Sequence, residues 1–151
     1  LALLGPTGKA AFFSGVAGGY PDEIRDLLTK YPKSTYARYA QARLILDAAR
    51  RWWSMGNPSS AADLERVRSL VAEGRTHIHQ FPDMPLNDNI LLWCARLQHM
   101  ARDEEASART LQQLFTDYPQ SEVLPTARKH VEDWRRSHKA FESIQVPPPQ
   151  T

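Results

Sequence analysis

The chain reads as an all-α protein on three observations. Apolar residues recur at i, i+3, i+4 and i+7 in several separate stretches, the spacing that lines one face of a helix. No stretch alternates apolar and polar side chains over several residues, and the hairpin dipeptides Asn-Gly and Asp-Gly are absent. Clusters rich in proline, glycine and serine fall between the periodic stretches and punctuate them.

Taken in order, Gly18-Gly19-Tyr20-Pro21 precedes the first clear stripe, Ile24, Leu27, Leu28 and Tyr31. Pro21 and Asp22 suit a first turn, where a missing N–H costs nothing and a carboxylate meets the positive helix end. Ser54 to Ser60 is a loop. The stripe Leu64, Val67, Val71, Gly74, Ile78 and Phe81 follows. Asp83 to Asn89 holds a proline and two expected helix caps, Asn87 and Asp88. Ile90 to Ala95 is the longest apolar run, far short of the ~20 residues a membrane span needs. Leu111, Leu114, Phe115 and Tyr118 form another stripe, and Leu124, Ala127, Val131, Trp134, His138 and Phe141 the last. Val146 to Thr151 cannot continue a helix and is expected to fray.

Composition bounds the function. The 151 residues suit one domain, and 42% hydrophobic with 24% charged side chains argue against wholesale disorder. A formal charge of +2 is too small to argue for nucleic acid. Cys94 is the only cysteine, which excludes an intramolecular disulfide and a cysteine-rich zinc site. The chain opens Leu1-Ala2 without methionine, the pattern expected of a processed or excised segment.

An internal repeat organises the chain. Tyr31-Pro32-Lys33-Ser34, Phe81-Pro82-Asp83-Met84 and Tyr118-Pro119-Gln120-Ser121 each close one amphipathic stretch and open another. Their aromatic residues lie 50 and 37 residues apart. Eight residues after each proline comes Ala40, Ile90 or Ala127. The aromatic is the last apolar residue of the outgoing helix. Proline then denies a backbone donor and restricts the residue before it. Ser34 and Ser121 can accept from orphan N–H groups of the incoming helix. Burial of all three aromatics at equivalent hairpin junctions is expected. Such hairpins cannot bury both apolar faces alone, so they stack.

The stretch Ala101 to Ser121 resembles the second half of a tetratricopeptide repeat, in the variety ending Tyr-Pro-x-Ser that is found in bacterial envelope lipoproteins and periplasmic division-coordinating proteins. Ser107 falls at the family's small residue, Leu111 at its large apolar one and Pro119 at its closing proline. In the preceding helix Leu91, Cys94 and Ala95 hold the apolar, apolar and small positions, and Glu122 to Arg136 is similar to a capping helix. The middle copy departs from the pattern in lacking the serine and in its long spacing. The resemblance implies a tetratricopeptide-like antiparallel helix-hairpin solenoid over residues 21–142. Residues 1–20 would be an extension or short leading helix, and 143–151 a Pro-rich disordered tail.

Catalytic signals are weak. Leu3 to Ala10 lacks the first glycine and the hydroxyl of a phosphate loop. Cys94 sits inside an apolar run, where a cysteine is a small inert hydrophobe. Among the histidines, His77 and His79 fall on different sides of a helix, Cys94 and His99 are off one face, and His130 and His138 form no ligand motif. Glu104 and Glu105 suit a helix start. The Arg50-Arg51-Trp52-Trp53 cluster points its two indoles about 100° apart, toward core packing or a binding surface. No catalytic residue, metal ligand or cofactor is expected.

The function expected is a non-catalytic protein- or peptide-binding scaffold in a larger or envelope-associated assembly. The alternative is an accessory or dimerisation domain of a larger enzyme or regulator. Carried over from the resemblance, the partner-binding groove comprises Tyr39, Leu46, Arg50, Trp53, Asn89, Leu92, Arg96, His99, Lys129, Asp133 and Arg136. Its four permanent cations suit an acidic segment or a C-terminal carboxylate. Arg96 is expected to be an exposed groove charge whose reversal leaves folding intact. A periplasmic or envelope location follows from the resemblance alone. Far-UV circular dichroism should be dominated by helix, with strand under about a twentieth of residues; a β-type spectrum would refute the fold class.

Overall fold

Residues 21–149 are described by a computed structural model. Six α-helices follow one another: α1 Pro21–Lys30, α2 Thr35–Met55, α3 Ala61–Gln80, α4 Asn87–Met100, α5 Glu104–Asp117 and α6 Leu124–Arg135. A short 3-10 turn, Lys139–Phe141, completes the set. No strand occurs among the described residues, so the all-α class holds. The leading segment and the phosphate-loop reading at Leu3 to Ala10 lie outside them.

The three aromatic-proline junctions are built alike. The N–H groups of Tyr31, Phe81 and Tyr118 donate to the carbonyls of Leu27, His77 and Leu114, four residues back, at 2.8, 2.9 and 3.0 Å. Three residues on, the N–H groups of Ser34, Met84 and Ser121 return to the aromatic residue's own carbonyl at 3.1 Å. Phe81 and Tyr118 share nearly one backbone conformation, φ −131°, ψ 68° and φ −128°, ψ 59°. A following proline drives this by barring the helical region to the residue before it. Ser34 caps α2 by accepting from the Tyr36 N–H at 3.2 Å, and Ser121 accepts from the Val123 N–H at 3.1 Å.

Two expectations about these junctions change. The aromatics are half-buried rather than buried, because each lies past its helix, at the rim of the layer. The Phe81 ring is faced by the Arg38 guanidinium 4.7 Å from its centroid. Asn87 and Asp88 do not cap α4, which begins at Asn87 itself. Asn87 is wholly buried and its side-chain amide donates to the Phe81 carbonyl at 2.7 Å, tying helix to turn. Asp88 instead accepts the Ser121 hydroxyl at 2.5 Å, linking two junctions.

Packing forms two main cores that share α4. One side of α4, with Ile90, Cys94 and Leu97, meets Ile45, Leu46 and Ala49 of α2 and Val67, Leu70 and Val71 of α3. The other side, with Leu91, Leu92 and Ala95, meets Leu111, Leu114 and Phe115 of α5 and Leu124, Ala127 and Val131 of α6. Ala40, Ile90 and Ala127, the residues eight past each proline, are all fully buried. A smaller cluster of Ile24 and Ala40 seats α1 on α2. Side chains also join alternate helices: on α3, Arg68 pairs with Asp103 just before α5, and Arg75 donates to Thr110 and Gln113 of α5.

The C-terminal stripe breaks sooner than its periodicity suggests. α6 stops at Arg135, and His138 adopts an extended conformation. Phe141 still reaches the second core, fully buried, because Arg135 grips the carbonyls of Phe141 and Ile144 at 3.2 and 3.0 Å. The segment expected to fray lies along α5 and α6 as far as it is described. Gln145 exchanges hydrogen bonds with Gln112, and Arg128 donates to the carbonyls of Pro147 and Pro148. Residues 150–151 lie outside the described residues.

Gly74 sets the distance between α3 and α4. A Cβ there would stand 3.0 Å from Cys94 Sγ and 3.1 Å from Ile90 Cγ2. Gly74→Val should therefore cost about 1–3 kcal/mol in urea unfolding, as overpacking of a filled interior does. The loss should shrink when Cys94→Ala is added, since that removes the nearest atom. A Gly74→Val protein more stable than the parent would disprove the close approach.

Candidate binding seam across three helices

Trp93, Arg96 and His99 recur every third residue of α4 and so climb one face of it. Arg96 is half-buried and stands at the middle. Its guanidinium carbon is 4.5 Å from the Trp93 ring centroid and 5.5 Å from that of Trp53 on α2. Its Nε–H donates to His130 Nε2 on α6 at 2.8 Å. Trp53 meets Trp93 edge-on with centroids 6.3 Å apart, and lies 6.3 Å from His130. One guanidinium thus joins α2, α4 and α6 through two indoles and an imidazole, combining cation–π attraction with a directional hydrogen bond.

The seam continues through Trp134. Its indole is stacked on His130 at 4.5 Å and on His99 at 3.9 Å. His99 Nδ1 lies 2.7 Å from Glu104 Oε2, and Glu104 Oε1 lies 3.7 Å from His138 Nε2. Single donor atoms of these three residues all fall within 4.8 Å of one another, a set of two imidazoles and a carboxylate able to hold a metal ion.

The turn after α4 makes that meeting possible. The Asp103 N–H donates to the Gln98 carbonyl at 2.8 Å and the Arg102 N–H to that of His99 at 3.0 Å, the paired bonds of a Schellman turn. Arg102 takes the left-handed conformation, φ 62°, where glycine is usual. The reversal brings Glu104, in the first turn of α5, back beside His99.

The eleven residues expected to line a groove divide. Trp53, Arg96 and His99 join the seam. Arg50 stands one turn before Trp53 and lies 4.0 Å from Asp47. Lys129 and Arg136 flank Asp133 on α6, and Arg136 also pairs with Glu132. These carboxylates offset the positive field that the residue types alone suggest. Asn89 is half-buried and bonds to Asp88, and Tyr39 is 39% exposed. Leu46 and Leu92, only 3% and 5% exposed, belong to the two cores instead, because α2 and α4 turn those positions inward. Arg96 is not a freely exposed charge; its reversal would break the stacking and the His130 bond and so disturb folding.

Trp93, His130 and Trp134 complete the seam although the groove assignment omits them. Their signal lies in the sequence, as Trp93 is three residues before Arg96 and His130 four before Trp134. Of the tryptophan pair, Trp52 packs on the first core and Trp53 is 36% exposed. Cys94 is buried, its thiol 3.8 Å from the Val71 carbonyl, and burial pushes it up to about 12. It is protonated and inert at neutral pH.

Burial, followed by the neighbouring Arg96 charge, pushes His130 down to about 4 from an ordinary 6.5, with His99 and Lys129 acting the same way and Asp133 opposing. Its Nε2 is then free to accept from Arg96. Between those two values the unfolded chain binds more protons than the folded one, so this contribution to stability is full above about 6.5 and falls as pH drops toward 4. Urea unfolding at both ends of that window should show the parent losing about 1–2 kcal/mol more than His130→Gln, a figure reduced for the ring's partial exposure. Equal pH slopes in the two proteins would contradict the assignment.

No protein-family model, curated protein or solved structure matches the chain.

Proposed function

We propose that the chain is a non-catalytic scaffold on which tetratricopeptide-like hairpins present α2, α4 and α6 to a peptide or protein segment. Three features support this reading. The junctions repeat in backbone and hydrogen bonding. Ser107, at the family's small position, is buried with its hydroxyl on the Ala95 carbonyl at 2.7 Å, the close helix approach the resemblance implies. α2, α4 and α6 share one row of contacts while α3 and α5 share another, as stacked hairpins require.

The observation that carries the proposal is the Trp53–Arg96–His130 contact, which gathers three successive first helices into one surface. Tryptophan and arginine are enriched among the hot spots of protein interfaces. Because Asp47, Glu132 and Asp133 offset the flanking cations, aromatic contact with Trp53 is the main source of affinity, and an acidic partner gains chiefly from Arg96 and Arg50. An envelope or periplasmic setting rests on the resemblance. No helix among the described residues is long and apolar enough to cross a membrane.

Selection of a displayed random-peptide library against the intact chain tests the reading. Peptides recovered should bind in calorimetry, and Trp53→Ser should weaken them at least about tenfold with the helical spectrum unchanged. Arg50→Glu should weaken the acidic members of the set more than the neutral ones. Binding indifferent to Trp53→Ser would remove this surface from the proposal.

A further inference from the structure

His99, Glu104 and His138 come from three separate places in the chain: the last turn of α4, the first turn of α5, and the extended residue after α6. Their convergence is therefore a product of the fold and not of local spacing. We propose that these residues bind a divalent cation of borderline softness, of which zinc fits the donor set best. Two imidazole nitrogens and one carboxylate oxygen are zinc's common ligands when a coordination position is left to water or another small ligand.

The geometry is close to what such an ion needs. Bond lengths of about 2.0–2.2 Å place tetrahedral donors about 3.3 Å apart. Glu104 Oε2 lies 2.7 Å from His99 Nδ1 and Oε1 lies 3.7 Å from His138 Nε2. Single donor atoms of all three residues fall within 4.8 Å of one another, so the first pair must spread and the others close by at most about 1.5 Å. The donors are half-buried and held from behind. His99 is stacked on Trp134, and Phe141 lies edge-on to both His99 and His138. The His138 N–H donates to the Trp134 carbonyl at 3.0 Å, which fixes the backbone of the third ligand. Such support is what orients first ligands in known metal sites. Glu104 also lies in the first turn of α5, at the positive end of the helix. The His138 side chain is 38% exposed, leaving both an entry path and an open position.

The test uses the full chain, stripped with a chelator and titrated with zinc chloride. Calorimetry should show one zinc ion per chain, and zinc should raise the melting temperature, as any ligand of the native state does. His138→Ala and Glu104→Gln should each weaken zinc at least about tenfold, while the exposed His79→Ala on α3 leaves affinity unchanged. Circular dichroism checks that each variant is folded. Cobalt should reproduce the stoichiometry and give the visible absorption of a low-coordinate site. Absence of zinc binding by the parent would overturn the proposal, as would losses below tenfold in either ligand variant or a matching loss in His79→Ala; the cluster would then be an ion-free histidine–glutamate bridge.

Discussion

Most of the structure depends on one helix having to be apolar on two sides. Nine of the fourteen residues of α4 are buried, and its neighbouring positions Ile90 and Leu91 enter different cores. A helix packed on both flanks cannot keep an ordinary polar face, so only a narrow strip of it reaches the surface. Trp93, Arg96 and His99 occupy that strip. The partners of α4 make room with small side chains: Gly74 on α3 beside Cys94, and Ser107 on α5 against the Ala95 carbonyl. Side chains larger than these would force the flanking helices outward and open voids in interiors packed like crystals.

Much of this was legible because the signals are local. Proline acts on its own nitrogen and on the residue before it, so Pro32, Pro82 and Pro119 mark junctions that the fold reproduces almost identically. Helical periodicity placed Leu111, Leu114, Val131 and Phe141 in the interior, where they are. Helix ends were less legible. Asn87 has the side chain of a cap, yet burial under the preceding turn gives it a different partner in the Phe81 carbonyl. Leu46 and Leu92 show how a repeat alignment mistakes an inward position for an outward one. A register drawn by analogy that slips by one residue turns a side chain by about 100° around the helix.

The candidate site was legible only in part, for a tertiary reason. Histidine spacing gives no metal motif, because Glu104 reaches His99 through the left-handed turn at Arg102, and His138 returns through a break after Arg135. Neither reversal has a strong sequence mark: arginine is an unusual choice at such a turn, and nothing but the end of regular spacing announces the break. The aromatic seam was nearer to hand. Trp53, Arg96 and His99 stand among the groove residues that the repeat resemblance implies, and Trp93 lies one helical turn before Arg96.

Trp134 carries two stacked imidazoles on one rigid indole. His99 and His130 are both stacked on it, the first in contact with Glu104 and the second with Arg96. A ring drawn toward one imidazole tilts or slides against the other. The two ends of the seam therefore meet through one indole, and an event that moved this ring by way of His99 would also move the acceptor presented to Arg96. Linkage would make such an exchange symmetric, each end feeling the other with the same free energy.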